Sequence, residues 1–215
     1  MKSQKTLAAI AALAGLFLSY GASAATLVPD GDFSNPYGGS AYTTYSFSAG
    51  DTFGPWAVTT GSVDLIGGYW QSPTGGLTGS VDLDGNAPGG ISQTFSLNPG
   101  KYVMTFSLSG NPDGGNALKS LQASIGGSTG DFTYTTGANI KTNMNYAVET
   151  LGFSVGGVGP QNVALSFLSL DGSGAYGAVV GNVAISAVPL PPTFLLFAAG
   201  LAGLGFFAFY RRRAM

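Results

Sequence analysis

The chain has no cysteine, no histidine and one glutamate, Glu149. Without cysteine there is no disulfide framework, so an exported form must rely on core packing. Without histidine, the commonest general base, the commonest metal ligand and the usual partner of a serine nucleophile are all missing. Serines are many, yet none has an evident base. A two-carboxylate glycosidase needs an acid–base pair flanking its substrate, and nothing in the spacing selects a partner for Glu149. No catalytic residue is therefore expected.

Positive charge is scarce in the interior of the sequence. Lys2, Lys5, Arg211, Arg212 and Arg213 make up five of the eight cations. Residues 25–188 keep only Lys101, Lys119 and Lys141 against all ten acidic residues, a net charge of −7. Such a balance disfavours nucleic acid and anionic polymers as partners. It permits neutral polysaccharide, cationic surfaces and calcium.

Amphipathic helical periodicity is absent from this middle region, and alternation takes its place. Ile91–Leu97 and Tyr102–Leu108 alternate, the latter with Tyr102, Met104, Phe106 and Leu108 on one face. Leu151–Val155 and Val163–Phe167 repeat the pattern. A period of two marks a strand with one buried face. Between these runs lie Asn98-Pro99-Gly100, Asn111–Gly115, Gly156–Pro160 and Asp171–Gly174, each with turn chemistry. Eight to ten short strands at this spacing predict an all-β, antiparallel β-sandwich of jelly-roll type over residues 25–186. That length suits one domain better than two.

The two ends read as targeting segments. Lys2 and Lys5, the apolar run Leu7–Leu18 and Ala22-Ser23-Ala24 predict a signal peptide over residues 1–24. At the other end, Phe194–Phe209 holds only apolar residues and glycine. As a helix, Thr193–Tyr210 would span about 27 Å, close to a bilayer's hydrocarbon thickness. Arg211–Arg213 would hold the cytoplasmic side, which places the sandwich on the exported side. Three prolines in 187–192 make a stiff, extended linker.

The segment Val188-Pro189-Leu190-Pro191, the apolar run and the arginine cluster together resemble the PEP-CTERM sorting signal of Gram-negative bacteria. Leu190 departs from the common motif, which has glutamate there. The resemblance implies processing by an exosortase, with this chain as the substrate, and delivery to the cell surface or the extracellular matrix. The middle resembles the choice-of-anchor C domain, related to DUF642-type sandwiches. The matching blocks include Leu27–Phe33, Gly61–Ile66, Tyr69-Trp70-Gln71, Ser80–Gly85, Gly89–Phe95, Leu108–Gly114 and Phe167–Asp171. This resemblance implies a galactose-binding-domain-like jelly roll, a fold whose members often bind glycans. Such folds often hold a structural calcium between a first-strand glutamate and a last-strand aspartate. Ser34 and Gly181 stand at the corresponding places here, so no metal and no cofactor is expected.

Trp56, Tyr69 and Trp70 could stack on the apolar faces of sugar rings, with Asp64 and Gln71 taking hydroxyls. Against this, large aromatics in sandwiches usually anchor the core, and that reading is favoured for both tryptophans. Asp82, Asp84 and Asn86 offer alternating oxygens of a kind that suits calcium. A strand with a polar outer face running into an Asp-Gly turn explains them more simply. Turn capping accounts for Asp113 and Asp171. The sequence thus predicts first an exported structural or interaction protein. The alternative is a carbohydrate-binding module using Asp64, Tyr69, Trp70 and Gln71, and a glycan-active enzyme comes last.

Overall fold

The computed structural model describes residues 27–34, 44–76, 78–172 and 174–189. The signal peptide, Leu190, Pro191, the apolar run and Arg211–Arg213 lie outside these residues. The described residues form two antiparallel sheets and no helix. The first sheet runs β1 (Thr44–Ser48), β4 (Ser62–Ile66), β5 (Ser80–Asp82), β12 (Ala178–Ala187), β7 (Gly100–Gly110), β10 (Ala147–Val155). The second runs β2 (Thr52–Phe53), β3 (Trp56–Thr60), β6 (Gly90–Leu97), β11 (Gln161–Ser169), β8 (Leu118–Ile125), β9 (Ser128–Thr135). The expected all-β antiparallel sandwich is therefore present, with twelve strands rather than eight to ten. The extra strands are short pieces such as β2 and β5, too brief for alternation to reveal.

The four alternating runs fall inside β6, β7, β10 and β11. The face Tyr102, Met104, Phe106 and Leu108 is buried, as its spacing predicts. Asn98 and Pro99 connect β6 to β7, but these strands belong to opposite sheets. The turn thus carries the chain across the sandwich instead of closing a hairpin.

Apolar side chains from both sheets fill the space between them. Phe106 meets Phe167 edge-on at 5.1 Å, and Trp56 lies 6.3 Å from Phe167. The indole of Trp56 is fully buried, and its Nε1 donates to the Asp30 carbonyl at 3.1 Å. Trp56 is thus a core anchor.

A second, smaller cluster lies on the outer face of the first sheet. Ile66, Trp70, Met144 and Val179 form it, with Tyr146 packed alongside. Outward residues of a sheet normally meet water. Here Trp70, from the segment after β4, and Met144, from the segment before β10, cover them. This small core supports the site described next.

Candidate functional site

A row of paired residues crosses the first sheet. Ser46 faces Asp64, Asp64 faces Asp82, Asp82 faces Val179 and Val179 faces Ser109. Their neighbours Val63, Leu65, Val81 and Val180 belong to the main core, so alternation turns this row outward. A cavity of about 420 Å³ opens beside it, within the range of small-ligand sites. Its lining includes Asp64, Tyr69, Trp70, Asp82, Asp84, Asn86, Asn111, Asp113 and Tyr176.

Asp82 organises the floor. Its Oδ1 accepts from the backbone N–H groups of Asp84 (3.0 Å) and Gly177 (2.9 Å), and its Oδ2 accepts from Asn111 Nδ2 (2.6 Å). One carboxyl thereby ties together three separate parts of the chain. Burial pushes Asp82 up to about 7, against the pull of those three hydrogen bonds. Asp84 is pushed up to about 6, again chiefly by burial. A charge-reduced floor relieves the repulsion between Asp64 and Asp82, which lie directly opposite each other. Asp64 also accepts a hydrogen bond from Ser46 Oγ at 2.6 Å.

The floor leaves one acceptor open. Asp84 is 1% exposed, and its Oδ1 has no hydrogen-bond partner. A buried oxygen of this kind is costly until a donor reaches it.

Two exposed tyrosines stand at the cleft. The Tyr69 hydroxyl donates to Asp113 Oδ2 at 2.8 Å, and Lys141 bridges to both side chains. These contacts, the hydrogen bond to Tyr69 foremost, raise the Lys141 ammonium above its usual range. The second tyrosine, Tyr176, has φ +76°, a left-handed conformation that non-glycine residues seldom adopt. Its N–H donates to the Asp84 carbonyl at 3.1 Å. Gly177 must lack a side chain, because a Cβ there would stand 2.5 Å from Asp84 Cγ.

Two of the sequence-selected residues, Asp64 and Tyr69, line this cleft. Trp70 borders the cavity, but it is 5% exposed and its Nε1 donates to Ser80 Oγ at 2.9 Å. It supports Tyr69, 5.7 Å away between ring centroids, and offers no open stacking face. Gln71 is also corrected. Its Oε1 accepts from Met144 N at 2.9 Å, and it is not among the cavity-lining residues. The amide stitches two loops together instead of meeting a ligand. Asp82 and Asp84 are buried, so the outer face that Asp82 occupies is covered rather than solvated. The Asp113 carboxylate does not cap its turn: it pairs with Lys141 and accepts from Tyr69, while Asn111 Oδ1 accepts from Asp113 N. Glu149, on β10, does not line the cleft.

Nothing local in the sequence points to Tyr176, Asn111 or the orphaned oxygen of Asp84. The one nearby cue is the glycine-rich turn at 171–174, whose chemistry is that of a plain connection.

No family model matches the chain. A stretch of 58 residues, 26% of this chain, is 41% identical to halomucin of Haloquadratum walsbyi. The match spans 1% of halomucin's length. Among solved structures, TmCBM61 in complex with β-1,4-galactotriose is similar with a TM-score of 0.42 at 10% identity, over 76% of this chain and 99% of that one. The CBM22-1 xylan-binding domain of Paenibacillus barcinonensis Xyn10C gives 0.43 at 15% identity, over 68% and 95%. A family 35 carbohydrate-binding module from Clostridium thermocellum gives 0.39 at 16% identity, over 68% and 100%. All three TM-scores lie below one half, so what this cleft does is read from its own residues.

Proposed function

We propose that the sandwich is a carbohydrate-binding module and that the cleft on its first sheet takes a neutral glycan. The observation that carries this reading is the pairing of the exposed ring of Tyr176 with the buried, unpartnered Oδ1 of Asp84 in one cavity. Sugars present both features that this pair requires, an apolar ring face and hydroxyl donors. Four aspartates line the cavity, and the nearby Lys141 is committed to Asp113 and Tyr69. Uronic-acid and sulfated polymers are therefore disfavoured by charge. The reading is one of binding rather than catalysis, on a sandwich that we take to be a galactose-binding-like jelly roll. It favours the carbohydrate-binding alternative over a purely structural role.

The test is co-sedimentation of the full chain with insoluble neutral, uronic-acid and amino polysaccharides. Binding to a neutral polymer should fall at least about tenfold in Tyr176→Ala, the usual scale for loss of an aromatic anchor. If the folded chain binds no polymer, or binds uronic-acid polymers best, the reading fails.

Delivery belongs to the same proposal. The signal peptide and the PEP-CTERM-like tail support export, temporary membrane anchorage and exosortase processing near Val188–Pro191. Of that motif, Val188 and Pro189 lie among the described residues, where Val188 N donates to the Lys101 carbonyl at 2.8 Å. In an exosortase-bearing host, the intact mass of the mature protein should lack Phe194–Tyr210. A mature mass that retains them would mean the helix is a permanent anchor.

A further inference from the structure

Tyr176 also borders a second cavity, of about 310 Å³. Asp84, Ala175 and Tyr176 line both cavities, and the second adds Asn116, Lys119 and Asp171. Its volume too lies within the range of small-ligand sites.

The shared tyrosine is held in place. Lys119 is 1% exposed, and its ammonium donates to two main-chain carbonyls, Gly114 at 3.0 Å and Tyr176. It thereby ties the turn after β7 to the left-handed residue. Gly114 packs on the ring itself, since a Cβ there would stand 3.2 Å from Tyr176 Cδ2. A Cβ at Gly115, where φ is +77°, would stand 2.7 Å from Lys119 Nζ. Tyr176 nonetheless remains 44% exposed, so a fixed ring is open to a ligand.

Three polar groups of the second cavity have hydrogen-bonding capacity to spare. Asp171 Oδ1 accepts from Ser120 N and Oγ, both at 2.9 Å, but its Oδ2 is buried without a partner. A buried acceptor of this kind is costly until a donor reaches it. It is a different oxygen from the Asp84 Oδ1 assigned to the first cavity. An ammonium carries three donors, and Lys119 uses two of them. The exposed Asn116 makes no side-chain hydrogen bond among the described residues. An acceptor, a donor and an amide that serves as either suit the hydroxyls of a sugar. A single ring lying on Tyr176 meets the groups at its own edge; engaging the open acceptors of both cavities takes two linked rings.

We infer that the second cavity is a further sugar subsite, so that the module takes two adjoining units of a neutral glycan chain, one in each cavity, with Asp171 and Asn116 engaging the second. This rests on the glycan-binding reading and narrows its ligand to a chain of at least two units.

Isothermal titration of the full chain with matched neutral sugars tests it: glucose with cellobiose, xylose with xylobiose, galactose with β-1,4-galactobiose and mannose with β-1,4-mannobiose. The disaccharide of the preferred pair should bind at least about tenfold more tightly than its monosaccharide, the scale of one or two added hydrogen bonds. Asn116→Ala should remove most of that gain. Asp171→Asn, which puts an amide donor where the buried acceptor stood, should do the same, with thermal unfolding showing that it is folded. Asn116 lies on the surface, so its variant decides the matter if Asp171→Asn does not fold. The inference is overturned if wild type binds both members of the pair equally, if the folded variants keep the advantage of the disaccharide, or if they weaken both sugars alike. Binding of polymer and monosaccharide with no preference for the disaccharide refutes the second subsite alone. A folded chain that binds no polymer and no sugar refutes the functional reading itself.

Discussion

The chain should become easier to unfold as the pH rises from about 4 to about 7, the reverse of ordinary acid denaturation. In the folded protein, burial holds Asp82 up to about 7 and Asp84 up to about 6. In the unfolded chain both return to the ordinary value of 3.8. Between those limits the native state binds more protons than the unfolded one, so stability falls with rising pH. Their contribution is complete below about pH 4 and is lost as the pH passes through 6 and then 7. For Asp82 the loss should be on the order of 2–4 kcal/mol, since each tenfold change in proton affinity corresponds to about 1.4 kcal/mol. Burial outweighs the groups around it, which act in both directions. Asp84 and, across the strand pair, Asp64 add negative charge, while the hydrogen bonds from Asn111, Gly177 and Asp84 N resist. No histidine or cysteine is present to titrate in the same window. Denaturant midpoints measured at pH 5, 6, 7 and 8 should decline steadily, and Asp82→Asn should flatten most of the decline. A midpoint that is constant or rises over this range would show that Asp82 is ionised in the folded state.

The sheets were legible in the sequence because each long strand carries its own alternation. Tyr102, Met104, Phe106 and Leu108 could face only one way, and the core confirms that face. The crossing of the chain between sheets was not legible, since Asn98-Pro99-Gly100 has the same turn chemistry whether it closes a hairpin or spans the sandwich. The cleft was half legible. Asp64 and Tyr69 could be found because an exposed aromatic near a carboxylate is a local pattern. Asp84, Asn111, Lys119 and Tyr176 come together only through long-range contacts, such as Gly177 N to Asp82 Oδ1 across 95 positions. Nor does composition announce a left-handed tyrosine, because that conformation is imposed by the tertiary contacts of Tyr176 with Asp84 and Lys119. Buried carboxylates followed the same logic. Alternation placed Asp82 on the outer face correctly, but nothing local indicated that other segments would cover that face.

Adjacent residues Tyr69 and Trp70 should separate cleanly under substitution. Trp70→Ala removes a nearly buried indole and its hydrogen bond to Ser80 Oγ, and opens the cluster of Ile66, Met144 and Val179. Truncating a buried tryptophan costs about 3–5 kcal/mol, which corresponds to a melting temperature roughly 6–15 °C lower for a domain of this size. Glycan binding should fall with it, because the ring that braces Tyr69 is gone. Tyr69→Ala removes a ring that is 41% exposed, together with its surface contacts to Asp113 and Lys141. Exposed pairs of that kind contribute little, so stability should change by less than about 1 kcal/mol while binding falls about tenfold. Thermal unfolding and polysaccharide co-sedimentation on the same two variants decide the matter. If Trp70→Ala keeps its stability and loses only binding, the indole is itself a ligand platform and not a support for Tyr69. If Tyr69→Ala binds as well as wild type, Tyr69 is only a clasp for Lys141, and the ligand contacts fall to Tyr176 and Asp84.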